Sequence, residues 1–293
     1  MSRAVAFLFP GQGTVPEVLP ASSERIDRLF AWAEDRGLPL RAWIADGRAD
    51  LLQRTENAQP ALFIDSLGRD ETLRTAGWAP GIVAGHSLGA YTALVSAGVL
   101  TAQDALDAVI ERGRAMSGIG GTMAAILKLD VQTVGALCDE IGSGVWIANH
   151  NGPTQIVVSG EAASVEALGR RAEQVGGRSI ALRVSGAFHS PLMAPAQDAL
   201  EPLLRRLPFA SPDIPVVSGV TATVEQDPEV LRQILCRQIT APVRWADVIR
   251  RLETYGVRTA VEVGSGDVLT RMGRRMRTPL RFETYEEAID GRI

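Results

Sequence analysis

The sequence predicts an α/β protein, with a large domain built on a parallel sheet and a small inserted ferredoxin-like (βαββαβ) domain. Three observations carry this reading. Residues 5–9 and 259–263 are short apolar runs without polar alternation, as expected of strands buried on both faces of a parallel sheet. Amphipathic helical stretches alternate with such runs over most of the chain. Residues 122–184 break that rhythm and read strand, helix, strand, strand, helix, strand. Residues 1–121 and 189–293 are therefore assigned to the large domain and residues 122–188 to the small one.

The first strand, residues 5–9, runs into Pro10-Gly11-Gln12-Gly13-Thr14, a Gly-rich segment that is either a plain turn or a loop whose N–H groups face a ligand. No Gly-Lys-Ser/Thr follows, so it is not a phosphate-binding P-loop. Residues 22–36 form an amphipathic helix with Ile26, Leu29, Phe30 and Trp32 on its apolar side. A short helix over 49–54 leads to a buried one over 61–64, with Pro60 in its first turn. Residues 81–84 are a strand and 91–100 a helix. Thr101, three residues before Asp104, caps a helix running to Met116. In the small domain, strands over 123–129, 145–148, 155–159 and 179–184 enclose helices over 131–141 and 162–176. Residues 149–153 make a hairpin-like connection. Helices over 196–207, 228–238 and 245–255, strands over 216–219 and 259–263, and a basic helix complete the large domain. The polar tail from Thr284 is expected to be loose.

Composition narrows the function. Of 293 residues, 46% are hydrophobic and 22% charged, which fits a soluble globular protein. A net charge of -4 gives no reason to expect a nucleic-acid partner. The local cluster Arg271, Arg274, Arg275 and Arg277 reads as a solvated helix face, with a docking patch for an acidic partner as the alternative. No apolar stretch is long enough to span a bilayer, so no membrane partner is expected. The N-terminal apolar run is too short for a signal peptide and is broken by Pro10-Gly11, which points to a cytoplasmic protein. Cys138 and Cys236, the only 2 cysteines, define neither a disulfide framework nor a zinc site and read as core residues.

The chemistry centres on Gly85-His86-Ser87-Leu88-Gly89. A strand precedes this Gly-x-Ser-x-Gly and a helix follows it, so Ser87 would sit on a sharp turn at a helix N-terminus, where developing negative charge is favoured. Such a serine needs a base. The chain offers 3 histidines. His86 adjoins Ser87, and neighbouring side chains diverge on such a turn. His150 sits among amides and reads as structural. His189, in a segment of small residues before Ser190-Pro191, is the candidate that remains. Asp130 gives the Ser–acid–His order of an α/β-hydrolase triad, but its simpler role is to cap the helix after it. That fold also places several strands before its nucleophile, and here only two are evident.

Phe9-Pro10-Gly11-Gln12-Gly13, Thr55-Glu56-Asn57-Ala58-Gln59-Pro60-Ala61-Leu62, Gly85-His86-Ser87-Leu88-Gly89, Val184-Ser185-Gly186-Ala187-Phe188-His189-Ser190-Pro191-Leu192-Met193 and Glu262-Val263-Gly264-Ser265-Gly266 occur in this order. Together they closely resemble the malonyl-CoA:acyl carrier protein transacylases and the acyltransferase domains of polyketide synthases. The match spans nearly the whole chain. The resemblance implies a hydrolase-like large domain and ping-pong acyl transfer from a CoA thioester, as substrate, to an acyl carrier protein, with no bound cofactor. It implies Ser87 as nucleophile and His189 as base and then acid, oriented by a backbone carbonyl, for which Gln238 is the candidate. It implies an oxyanion hole from the backbone N–H groups of Gln12 and Leu88. Arg112 would grip the malonyl carboxylate, Gln59 would line the site, and Phe188 would disfavour α-branched acyl groups. Arg114, two residues on, is expected to face solvent.

Two departures bear on specificity. Ala90 stands where the family usually has Glu, and the segments after Gly13 and between Met116 and Thr122 are short. These motivate one alternative, a hydrolase that sheds acyl groups to water or a true esterase; a malonyl-transfer subunit of a malonate decarboxylase is a further, related catalytic variant. A non-catalytic docking subunit fits poorly with an intact Ser, His and Arg set.

Overall fold

A computed structural model describes residues 4–13, 16 and 18–291. Thr14 of the Gly-rich loop and part of the shortened segment after Gly13 lie outside the described residues. The strands, in chain order, are β1 (Val5–Phe9), β2 (Ile82–Gly85), β3 (Thr122–Leu127), β4 (Val145–Gly152), β5 (Gln155–Gly160), β6 (Arg178–Ala181), β7 (Val216–Val217), β8 (Val224–Glu225), β9 (Thr259–Glu262) and β10 (Arg281–Glu283). They form two sheets. One is 6-stranded in the order β10-β9-β1-β2-β7-β8, parallel except where β8 turns back on β7. The other is 4-stranded and antiparallel in the order β4-β5-β3-β6, the ferredoxin-like arrangement.

The apolar runs explain the first sheet. Ala6, Phe7, Leu8 and Phe9 are all 0% exposed, because helices cover both faces. Phe7, Phe9 and Val83 point into one core cluster and Ala6, Leu8 and Ala84 into another, as side-chain alternation along a strand requires. The small sheet has its own core of Ile126, Val134, Val158, Leu168 and neighbours.

The structure corrects several expectations. The buried helix after Asn57 begins at Thr55 and runs to Thr75, so Pro60 lies inside it and not in its first turn. Burial of nearly every position in its first half outweighs the local cost of proline. β4 extends to Gly152, so Asn149, His150 and Asn151 are strand residues and only Pro153 and Thr154 turn. Its pairing with β5 shifts register twice, at Ile147/Asn149 and His150/Gly152. At the first shift the strand edge is taken by Val243: its N–H donates to Ala148 O (2.8 Å) and its carbonyl accepts from His150 N (2.8 Å). The tail is ordered through Asp290. β10 pairs with β9, and a helix over Tyr285–Asp290 starts with a capping box between Thr284 and Glu287. Its Ala288 is buried, and its side chains reach Arg69 and Arg274 through Glu286 and Glu287. Cys236 is buried, but Cys138 is only partly so.

Among the described residues, no helix is long and apolar enough to cross a membrane. Nor, among the described residues, is any group of three or more His, Cys, Asp or Glu placed to hold a metal ion.

Candidate active site

β2 ends at Gly85, and the helix Gly89–Ser96 begins four residues later. Ser87, between them, has φ 51°, in the left-handed region that a side chain normally avoids. The turn thus places its strain on the serine itself. Gly89 serves a different need: a Cβ there would sit 2.0 Å from Phe9 O, so only glycine lets the helix start press onto the end of β1. The loop after β1 closes on the same turn, since a Cβ on Gly11 would meet His86 O at 2.8 Å. Gln12 is thereby held beside Ser87. The backbone N–H of Leu88 has no partner among the described hydrogen bonds and stands at the helix start.

His189 comes from the far side of the small domain in sequence, yet its Nε2 lies 2.7 Å from Ser87 Oγ. Its own φ is 59°, a second strained backbone at the site. The next residue supports this turn, with Ser190 Oγ donating to Ala187 O at 2.6 Å. Nδ1 lies 3.1 Å from Gln238 O and 3.0 Å from Ala241 O. Carbonyls only accept, so the proton sits on Nδ1 and Nε2 is the acceptor for the Ser87 hydroxyl. Burial, with Arg112 and His86 nearby, holds this imidazole down to about 3, so it is neutral in the resting protein. Gln238 acts twice: its side-chain Nε2 also donates to Ser87 O (3.1 Å). Ala241 escaped the sequence reading because a carbonyl carries no side-chain signal. Its position depends on Val243, two residues on, which is tied to the register shift in β4.

Arg112 lies on the helix Ala102–Met116 and is 1% exposed. It has no carboxylate partner among the described residues, and burial lowers its pKa. Nη2 donates to Ser87 Oγ (3.0 Å), Nη1 donates to Gln59 Oε1, and Nε is left without a partner. The Tyr91 ring lies 5.8 Å from its guanidinium carbon. Arg114 is exposed and donates to Arg36 O, as expected of the solvent-facing neighbour. Gln59 does not line the cleft. It sits behind Arg112, fully buried, and fixes the guanidinium.

The cleft itself is about 210 Å³ and lies between the two sheets. Ser87, His189, Arg112 and Gln12 share it with Phe188, Met116, Met123 and Leu182. Asn149 and Asn151 also line it, aimed there by the register shifts in β4. Sequence reasoning missed both, having placed them in a turn. His86 is not a base for Ser87: its Nε2 pairs with Asn151 Oδ1 (3.0 Å) and its ring stands edge-on to Trp245. Asp130 is remote in role too, capping its helix through Thr133 N (2.7 Å). Ala90 is not among the cleft residues and packs against the core, so it does not touch the acyl site directly.

A strained serine, a neutral histidine oriented by carbonyls and the Leu88 backbone N–H at a helix start form a nucleophilic acyl-transfer site. The chain belongs to the acyl transferase domain family, whose model matches residues 6–281. It is 38% identical to a malonyl CoA-acyl carrier protein transacylase of Bacillus subtilis over 94% of this chain and 92% of that protein. Its fold is similar to the crystal structure of an acyl-carrier-protein S-malonyltransferase of Burkholderia pseudomallei, with TM-score 0.92, 37% identity and 98% of each chain covered. It is likewise similar to a malonyl-transacylase solved with its type II PKS acyl-carrier protein, with TM-score 0.90, 33% identity and coverage of 98% of this chain and 99% of that one.

Proposed function

We propose that this chain moves a malonyl group from malonyl-CoA, through an ester on Ser87, to the phosphopantetheine thiol of an acyl carrier protein in the cytoplasm. The observation that carries the acyl assignment is Arg112. A fully buried guanidinium with no anionic partner is costly, and a ligand carboxylate at the serine offsets that cost.

His189 Nε2 takes the Ser87 proton as Oγ attacks the thioester carbonyl. The imidazolium that forms is held by Nδ1–H against the carbonyls of Gln238 and Ala241. The N–H groups of Gln12 and Leu88 receive the oxyanion. The C–S bond then breaks, and His189 returns its proton to the departing CoA sulfur. In the second half the carrier thiol gives His189 its proton and attacks the ester, and Ser87 leaves as the hydroxyl. The malonyl carboxylate occupies Arg112 throughout, drawing Nη2 from Ser87 Oγ.

Incubation with radiolabelled malonyl-CoA should place label on Ser87, and holo carrier protein should remove it. Equal labelling by acetyl-CoA would sink the malonyl assignment. Release of free malonate faster than transfer to carrier would establish the hydrolase instead.

A further inference from the structure

We infer that Thr55 is a positioning residue that ties the carboxylate-binding arginine to the oxyanion loop through a one-way chain of hydrogen bonds. The inference rests on the function proposed above. A guanidinium only donates, so Gln59 must turn Oε1 to Arg112. That leaves Gln59 Nε2 facing Thr55 Oγ1 at 3.2 Å. An amide nitrogen only donates, so the Thr55 proton must go elsewhere, and Gln12 Oε1 lies 2.8 Å away. Every donor in Arg112–Gln59–Thr55–Gln12 therefore points away from the charge, an arrangement in which each bond polarises the next. In the function proposed above, Gln12 is the residue whose backbone N–H receives the oxyanion.

Thr55 has no competing duty for its hydroxyl. It is the first residue of the helix Thr55–Thr75, whose start carries no side-chain cap bond. It is 2% exposed and bridges the buried Gln59 to Gln12, an exposed residue of the loop after β1. Among the described residues, removing it leaves Gln59 Nε2 only the distant Met116 Sδ (3.6 Å) and takes away the hydrogen bond that Gln12 Oε1 accepts.

The test is the single-turnover rate of Ser87 acylation by malonyl-CoA in Thr55→Val, Thr55→Ser and Gln12→Ala. Loss of one neutral hydrogen bond at this point should slow acylation about 3- to 10-fold in Thr55→Val. Thr55→Ser, which keeps the hydroxyl, should restore most of the rate. Because Gln12→Ala keeps its backbone N–H but loses the same bond, Thr55→Val/Gln12→Ala should be no slower than the worse single variant. A folded Thr55→Val with wild-type rate, a cycle that is additive, or equal impairment of the Val and Ser variants overturns the inference. Should Thr55→Val not fold, Thr55→Ala carries the same expectation. Wild type that takes no malonyl label would instead defeat the malonyl reading.

Discussion

Arg112 is the residue on which substrate choice turns. Its guanidinium has polar contacts on Nη1 and Nη2 but no counter-charge among the described residues, so Arg112→Ala should cost malonyl-CoA about 2–5 kcal/mol in kcat/KM. Acetyl-CoA, with no carboxylate, should lose much less, and comparison of the two acylation rates checks it. His189 sets the pH behaviour. An unburied histidine titrates near 6.5, whereas this one is held down to about 3. The acid limb of kcat/KM should therefore lie well below pH 6.5, and a break at 6.5 would contradict the geometry. Stability follows the same linkage. Between those values the unfolded chain binds a proton that the native chain does not, so the stability contribution is full above 6.5 and is lost as pH falls toward 3. Wild type should thus lose more thermal stability between pH 7 and pH 4 than His189→Gln does.

At the level of elements, the serine turn and the C-terminal helix test opposite kinds of constraint. Gly89→Ala puts a Cβ 2.0 Å from Phe9 O, a clash of the new side-chain carbon with backbone that no rotamer relieves. It should destabilise by more than about 3 kcal/mol or abolish activity, read by denaturant unfolding and malonyl labelling. Thr284→Ala removes one half of the capping box and should cost about 0.5–2 kcal/mol without touching catalysis. β4 links the sheets in a subtler way. Its register shift hands an edge to Val243, and that contact fixes the loop whose Ala241 carbonyl holds His189. The small sheet thus helps aim the base of the large one.

Across the whole molecule, what was legible in the sequence was what side-chain chemistry writes directly. The unalternating strands revealed the parallel sheet, and the strand-turn-helix at Ser87 revealed the nucleophile's seat. The change of rhythm after residue 121 announced the small sheet. His189 emerged by elimination among few histidines. Arg112 came from the family motif, and nothing in its local sequence told it from Arg114 except burial, which needs the neighbouring helix. Asn149 and Asn151 were hidden because a register shift is a property of two strands together. Ala241 was hidden because it acts through its backbone. The C-terminal helix was misread because its polar sequence is anchored by partners far along the chain, Arg69 and Arg274.

The position of β1 has a consequence for how the protein is made. It lies between β2 and β9, pairing Val5 with Thr259. β1 precedes β9 by about 250 residues, so one of its edges stays open during synthesis for on the order of 10–50 s at ordinary rates. Throughout that wait a fully apolar strand edge is exposed. Nascent chains ending before β9 should therefore be captured by holding chaperones and should aggregate when released. Chains that also carry β9 and β10 should not.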